Sequence, residues 1–423
     1  MLLEEKKSVA FHTLGCKLNF SETSTISRMM ENEGFEKKKF DEKADVYVIN
    51  TCSVTENADK ECRYLVRQIQ RKSPESLVII TGCYAQLKPK EIAEIPGVDL
   101  VLGAAEKFNI AQHINELAKG NATKISSCDI DEISGFNSSW SMNDRTRTFL
   151  KVQDGCDYNC SFCTIPMARG KSRSDTIENV LANVKKIAAD GVKEIVLTGV
   201  NLGDFGKNDF ESKETFYDLI QALDEVEGIE RYRISSIEPN LLTAEIIEFV
   251  AKSKKFMPHF HIPLQSGSNK ILGLMRRRYK RELYVEKVEL IKKLMPHCAI
   301  GVDVIVGFPN ESDADFKETF DFLHQLDVSY LHVFTYSERD NTKALEIQPV
   351  VPVNTRNERN KILRNLSYKK MQYFTSQHAA ETRKVLFEKN ERSGMMEGYT
   401  DNYIKITIPF KAGWANNIVD WKI

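Results

Sequence analysis

The stretch Thr148-Phe149-Leu150-Lys151-Val152-Gln153-Asp154-Gly155-Cys156-Asp157-Tyr158-Asn159-Cys160-Ser161-Phe162-Cys163 decides how the rest of the chain is read. Residues 148–153 predict a strand, so the three cysteines that follow lie in a loop at its carboxyl end. Such a loop can wrap a metal cluster. Three thiolates spaced Cys-x-x-x-Cys-x-x-Cys hold a cubane iron–sulfur cluster and leave one iron open to a further ligand. Structural zinc takes four ligands, commonly in paired spacing, and no fourth Cys or His stands near the triplet. Inert buried cysteines fit poorly as well, because Asp157, Asn159 and Ser161 interleave the three with polar residues.

Beyond the triplet, strands are predicted at 194–198, 232–236, 259–264, 301–306 and 330–335, with helical intervals between them. Six strands in all are too few for a closed eight-stranded barrel. They suit a partial, TIM-like (βα)6 barrel over 144–353 with its chemistry at the carboxyl strand ends. Upstream, apolar runs at 8–13, 46–50, 77–81 and 98–103 alternate with amphipathic stretches. One helix is expected to start at Asn19 or Ser21 and stop before Gly34; another spans 56–72. This βα rhythm predicts a parallel-sheet domain over 1–120. Residues 121–143 are rich in Ser, Asn, Gly and Asp and read as a linker. Downstream, 354–383 reads as a long polar connecting helix. Short β-prone segments at 384–388, 399–408 and 417–421 then predict a small β-barrel over 384–423. The fold class is α/β.

A second cysteine set lies in the first domain: Cys16, Cys52 and Cys83 each follow a predicted strand by a few residues. In a parallel sheet those strand ends share one edge, where ligands bind in open α/β folds, so the three can converge on a second cluster. The alternative is that they are ordinary buried cysteines. Cys62, Cys128 and Cys298 read as non-ligand thiols.

The chain has 423 residues, 42% hydrophobic and 28% charged, which suits a multidomain globular protein and excludes disordered and fibrous classes. Nine cysteines, an odd number at scattered spacing, favour metal chemistry over disulfides. Residues 1–7 are polar, and the most apolar stretch, 299–309, is short and interrupted by Asp303. No membrane association and a cytoplasmic location are expected. Net charge is −1, yet residues 343–423 hold 14 Lys/Arg against 8 Asp/Glu, a hint that this end faces a polyanion.

The residues resemble the radical S-adenosylmethionine methylthiotransferases along essentially the whole chain. Carrying the likeness, besides the cysteines, are Gln153-Asp154-Gly155-Cys156, Ile165-Pro166-Met167-Ala168-Arg169-Gly170, His261-Ile262-Pro263-Leu264-Gln265-Ser266-Gly267-Ser268, Met275-Arg276-Arg277 and Val302-Asp303-Val304-Ile305-Val306-Gly307-Phe308-Pro309. The resemblance implies an N-terminal cluster domain, a radical S-adenosylmethionine barrel and a C-terminal TRAM domain that binds RNA or another substrate. Three motifs look like the branch that modifies threonylcarbamoyladenosine in tRNA: Thr13-Leu14-Gly15-Cys16-Lys17-Leu18-Asn19, Asn50-Thr51-Cys52-Ser53-Val54-Thr55-Glu56-Asn57-Ala58-Asp59 and Thr81-Gly82-Cys83-Tyr84-Ala85-Gln86. Sister branches act on isopentenyladenosine in tRNA, with Gly-Cys-Gln-Met-Asn at the first site, or on a ribosomal-protein aspartate, with Gly-Cys-Pro-Lys-Asn; neither pattern is present. Relative to the family, the last strand of the barrel is expected to continue beyond Ile423.

What the resemblance implies is a sulfur insertion. Two 4Fe–4S clusters are expected, one on Cys156, Cys160 and Cys163 and one on Cys16, Cys52 and Cys83, together with two molecules of S-adenosylmethionine. One methylates a sulfur carried at the N-terminal cluster. The other is cleaved to a 5′-deoxyadenosyl radical that takes the hydrogen from C2 of the modified adenine at tRNA position 37. The anticodon stem-loop of tRNA and an electron donor such as flavodoxin or ferredoxin are the expected partners of a monomer. Phe162 would lie beside the cofactor, with Thr198, Gly199, Asn201, Ser235, Ser236, Glu238, Gln265, Ser266 and Gly307 at the strand ends around it. Glu238 could accept from ribose hydroxyls or be a surface charge. Arg169 and Arg173 could pair with the cofactor carboxylate or lie at the surface. Arg276, Arg277 and Arg278 could contact RNA phosphates or form a solvated helix face. No side chain is expected to act as acid or base catalyst, and His259 and His261 read as barrel-lining residues. A different class, an RNA-binding protein with a purely structural metal centre, is the alternative.

Overall fold

The computed structural model describes residues 6–53, 56–117, 119–120, 122–133, 135–142, 146–207 and 213–423; Val54 and Thr55 of the second cysteine motif and three positions of the 121–143 segment lie outside them. The strand Val46–Thr51 has every residue buried, the pattern of a strand covered on both faces. It belongs to a six-stranded parallel sheet in the order Glu36–Lys38, Ser8–Thr13, Val46–Thr51, Leu77–Gly82, Leu100–Leu102, Lys124–Ser126. Alternation along the strands divides the core into two layers. Tyr47, Ile49, Val78 and Ile80 pack with Cys62, Leu65, Val66 and Ile69 of the helix Glu56–Lys72. Val46, Val48, Ile79 and Leu100 pack with Ile26 and Met30 of the helix Lys17–Asn32 and with Ile110 and Ile114. Each such aliphatic side chain contributes about 1.5–3 kcal/mol when fully buried.

The first helix starts at Lys17 with Cys16 as its N-cap, ahead of the expected caps. Asn19 and Ser21 are buried inside the helix, where Asn19 Nδ2 donates to the carbonyls of Leu14 and Thr51 (2.8 and 3.0 Å). A polar residue committed to tertiary hydrogen bonds looks like a cap in sequence alone. Within 121–143, Lys124–Ser126 is the sixth strand of the sheet. Ser139–Trp140 pairs antiparallel with Leu150 and Lys151, and its Trp140 lies under the Arg28 guanidinium at 4.8 Å. These pieces are too short to show a periodicity. The segments Phe149–Tyr158 and Thr164–Arg173 belong to the same compact unit as residues 1–144.

The other unit comprises 145–148, Asn159–Cys163 and Ser174–Ile423. Parallel strands Glu194–Thr198, Arg231–Ile234, His259–His261, Ala299–Val306 and Tyr330–Thr335 follow one another through direct pairing or single bridges; the strand Arg147–Lys151 straddles the two units. Helices separate the strands, and two begin with capping boxes, at Thr215 and at Ser312. The helix Val353–Gln377 stops short of 383, because Ala380 adopts φ +73° and turns the chain into the strand Thr382–Arg392. The stretch 399–408 is two strands, Met395–Thr400 and Lys405–Pro409, separated by a turn with Tyr403 at φ +69°. With Ile418–Lys422 they form a four-stranded antiparallel sheet around Val385, Phe387, Met396 and Ile408, consistent with a TRAM-like barrel. It docks on the parallel strands through Arg231 and Arg233, which donate to the carbonyls of Lys384 (2.8 Å) and Thr400 (2.7 Å). Among the described residues no helix is long and apolar enough to cross a membrane.

Candidate metal centres

The register puts the N-terminal cysteines at adjoining strand ends. Thr13 pairs with Asn50 and Thr51 with Gly82, so Cys16, Cys52 and Cys83 all leave the carboxyl edge of three neighbouring parallel strands. Gly15 has φ +98°, and a Cβ there would stand 2.8 Å from Cys52 Sγ; only glycine lets the first cysteine loop fold against the second. Cys52 and Cys83 are buried and Cys16 is exposed. Burial pushes the Cys83 thiol up, and Arg169 opposes that rise. Three thiols from three strand ends, one of them open to solvent, fit a cluster with one iron left free.

Behind these cysteines lies a buried charge cluster. Arg169 Nη1 donates to Glu22 Oε1 (3.1 Å) and Asp154 Oδ1 (2.9 Å), and its Nη2 to Asn19 Oδ1 (2.6 Å). Lys107 Nζ lies 2.6 Å and Lys151 Nζ 3.3 Å from the same Glu22 oxygen, and Arg173 reaches Asp154 Oδ2 at 3.2 Å. Asn19 Oδ1 also stands 3.9 Å from Cys16 Sγ, so Arg169 is linked through one amide to the cysteine edge. Burial alone would raise the Glu22 carboxyl; Arg169, Lys107 and Lys151 outweigh it and hold the group below the usual range. Asp154 is held down against burial by Arg169, Lys151 and Arg173. Burial lowers the Lys107 ammonium. Lys107, Lys151 and Arg169 outnumber Glu22 and Asp154, and Arg169 and Lys107 pull the Cys83 thiol down against the rise that burial imposes.

Both carboxylates titrate lower in the folded chain than in the unfolded one. Their stabilisation is therefore complete above the ordinary carboxylate range and is lost as pH falls through the depressed folded values. The melting temperature of the cluster-free protein is expected to hold from about pH 7 to 5 and to fall below about pH 4. Calorimetry checks this, and Glu22→Gln should flatten the acid limb.

Cys156 belongs to the unit of the N-terminal sheet, and Cys160 and Cys163 to the other. Cys156 Sγ accepts the Tyr158 N–H at 3.4 Å, and the Cys163 N–H donates to the Cys160 carbonyl at 3.2 Å. Cys160 Sγ accepts from Arg277 Nη1 at 3.2 Å. Arg277, expected on RNA, is turned inward: it also pairs with Glu238 and donates to Tyr279 Oη at 3.2 Å. Its neighbours Arg276 and Arg278 are exposed. Burial raises the Glu238 carboxyl against the pull of Arg277, and burial raises the Cys160 thiol. Asn201 Oδ1 accepts the Glu238 N–H at 3.3 Å, so Asn201, Glu238, Arg277 and Cys160 form one connected group.

The remaining expected cofactor residues divide. Thr198 closes its strand and Gly199 follows it; Ser235 and Ser236 follow theirs, the Ser235 N–H donating to the Leu197 carbonyl. Gln265 holds φ +70° with its N–H on the Asp303 carbonyl. Phe162 packs edge-on to Phe308, centroids 6.3 Å apart. Ser266 turns to the helix Asp313–Gln325, where its Oγ meets Thr319 Oγ1 at 3.2 Å. The Gly307 N–H is taken by the Glu311 carboxylate at 3.1 Å. Arg169 and Arg173, expected near a cofactor carboxylate, are both engaged with Asp154. Sequence reasoning missed Glu22, Lys107, Lys151, Asp154 and Tyr279; the nearest signal was the one-turn spacing of Asn19 and Glu22 after Cys16.

The threonylcarbamoyladenosine tRNA methylthiotransferase MtaB of Bacillus subtilis (strain 168) is 40% identical to this chain over 429 residues, covering 98% of the chain and 93% of the relative. The chain belongs to the radical S-adenosylmethionine tRNA methylthiotransferase family. A like-named relative of this methylthiotransferase in Aquifex aeolicus (strain VF5) is 40% identical, covering 94% of the chain and 96% of the relative. A tRNA-2-methylthio-N(6)-dimethylallyladenosine synthase of Clostridium botulinum (strain Langeland) is 34% identical, covering 82% and 78%. The methylthiotransferase matches the model of uncharacterized protein family UPF0004 over residues 8–103 and that of the radical SAM superfamily over 150–323. The superfamily implies a 4Fe–4S cluster and S-adenosylmethionine. In fold it is similar to the radical S-adenosylmethionine methyltransferase TsrM of Kitasatospora setae, with TM-score 0.56, 14% identity and coverage of 78% of this chain and 75% of that one.

Proposed function

We propose that this methylthiotransferase converts N6-threonylcarbamoyladenosine at tRNA position 37, beside the anticodon, to its 2-methylthio derivative. Cys156, Cys160 and Cys163 would hold the cluster that binds S-adenosylmethionine. Cys16, Cys52 and Cys83 would hold a second cluster, from which the sulfur is inserted. The meeting of those last three cysteines at adjoining strand ends carries the sulfur-inserting reading. The threonylcarbamoyl branch is supported by relatives of that name at 34–40% identity over 94–98% of the chain, against 34% over 82% for the dimethylallyl synthase.

When bound, the clusters and two S-adenosylmethionine molecules supply one-electron reduction, hydrogen abstraction and a transferable methylated sulfur. The chain's own residues position and tune. Arg277 donates to the Cys160 thiolate, Glu238 and Asn201 stand at neighbouring strand ends to hold the cofactor's hydroxyls, and Arg169 with its two lysines offsets thiolate charge behind the N-terminal cysteines. The C-terminal sheet would grip the anticodon stem-loop in a monomeric cytoplasmic enzyme reduced by a flavodoxin or ferredoxin.

Nucleoside mass spectrometry of tRNA from cells lacking the protein tests the substrate. The 2-methylthio form of threonylcarbamoyladenosine should disappear; a change confined to isopentenyladenosine derivatives would move the enzyme to the sister branch. In the purified protein, Cys52→Ala should still release 5′-deoxyadenosine but form no methylthio product. A colourless, zinc-loaded wild type without turnover would leave only an RNA-binding role.

A further inference from the structure

Three neighbouring strands carry a donor set that neither cysteine group uses. His261 ends the strand His259–His261, Asp303 lies within Ala299–Val306, and His332 within Tyr330–Thr335. In the parallel register His261 faces Gly301 and Asp303 faces His332. The two-residue repeat of a strand therefore puts all three side chains on one face. His261 Nε2 lies 2.9 Å and His332 Nδ1 3.3 Å from the same oxygen, Asp303 Oδ1, and the three donor atoms all fall within 4.8 Å of one another. Donor atoms around an ion with bonds of about 2.0–2.2 Å stand roughly 3–3.5 Å apart, so only a small opening of the trio admits one.

The surroundings keep the set in place. Asp303 is on the middle of the three strands, with a hydrogen-bonded neighbour on each side. Gly301 makes room for the Tyr330 ring, since a Cβ there would come within 2.4 Å of it. That ring holds His259 out of the group, Tyr330 Oη meeting His259 Nε2 at 2.8 Å while Tyr403 stacks on the same imidazole at 4.0 Å. The set is also reachable, with the Asp303 side chain 22% and the His332 side chain 51% exposed.

We infer that His261, Asp303 and His332 form a site for a divalent transition-metal ion of the zinc or iron(II) class, with coordination positions left open to an oxygen ligand. Two imidazoles and one carboxylate on a single face are the donors such borderline ions prefer, whereas magnesium and calcium take all-oxygen sets. The sequence reading of His261 as a lining residue lacked its partners, which lie 42 and 71 positions further on.

Zinc is the probe, because iron is also in the clusters. Full-length protein with its clusters reconstituted is equilibrated with zinc, passed over a desalting column and assayed for zinc and iron by mass spectrometry. The wild type should retain one zinc ion per chain that Asp303→Asn and His332→Ala lose, or bind at least about tenfold more weakly, with iron content unchanged. Equal zinc in wild type and variants, or none in the wild type, overturns the site and leaves a hydrogen-bonded trio. His332→Ala, on a half-exposed side chain, keeps the test valid if Asp303→Asn does not fold. Metal content is read independently of any nucleoside product, so this result and the one on tRNA can fail separately.

Discussion

Arg169→Ala is expected to destabilise the N-terminal unit by up to about 3 kcal/mol, because a buried charge network loses its central cation while the lysines and Arg173 still offset part of the carboxylate charge, and to yield protein short of one cluster's iron. The guanidinium is the shared donor to Glu22, Asp154 and Asn19. Its removal takes the bidentate cation from two carboxylates that are almost wholly buried and leaves Glu22 to Lys107 and Lys151 and Asp154 to Lys151 and Arg173, contacts that do not replace the lost fork. The same change releases Asn19 from the arginine while its other hydrogen bonds tie the Cys16 and Cys52 loops together. Thermal melts of the cluster-free protein report the first effect; iron and sulfide assays after reconstitution report the second. Arg169→Lys, which keeps the charge and loses the fork, should fall between. A variant with wild-type melting and full iron would mean that the cluster is held by its lysines alone.

The second large effect is expected on the reaction. Arg277→Leu removes the N–H···S bond to Cys160 and leaves Glu238, already raised by burial, without its cation. Hydrogen bonds to cluster sulfurs raise the reduction potential, so their loss makes the cluster harder to reduce. A shift on the order of 60 mV to more negative values corresponds to about tenfold in the one-electron equilibrium, and a charge-assisted hydrogen bond of about 1.5–3 kcal/mol is large enough to produce it. Production of 5′-deoxyadenosine with a weak physiological reductant should drop by about tenfold or more, and a stronger reductant should restore part of it. Glu238→Gln retains the shape and Arg277 itself, so it should leave the potential closer to wild type. An unchanged potential in Arg277→Leu would reduce Arg277 to a packing role.

The features legible in the sequence were those with a period or a fixed spacing. Buried strands such as Val46–Thr51 and Leu77–Gly82 read as unbroken apolar runs, and the cysteines followed them closely enough to be placed on one edge. What stayed hidden was whatever depends on partners far along the chain. Glu22 sits in a helix with many polar residues and looks solvated until Lys107, Lys151 and Arg169 close over it. Arg277, inside a basic run, looked like an exposed phosphate contact; only Glu238 and Cys160 reveal that it points inward. The strand Lys124–Ser126 is three residues with two of them exposed, so nothing in its composition separates it from a loop.

The N-terminal unit is discontinuous, completed by Phe149–Tyr158 and Thr164–Arg173. Chains emerge from the ribosome amino end first, and domains generally fold as units in that order. A nascent chain that has exposed only residues 1–144 holds all six strands of the first sheet but leaves Glu22 and Lys107 without Arg169 and Lys151, so the charge cluster behind Cys16 closes only once the segment that follows the cysteine triplet has been made. Completion of the charged backing of the N-terminal cysteines is thereby tied to synthesis of the segments on either side of the Cys156, Cys160 and Cys163 triplet.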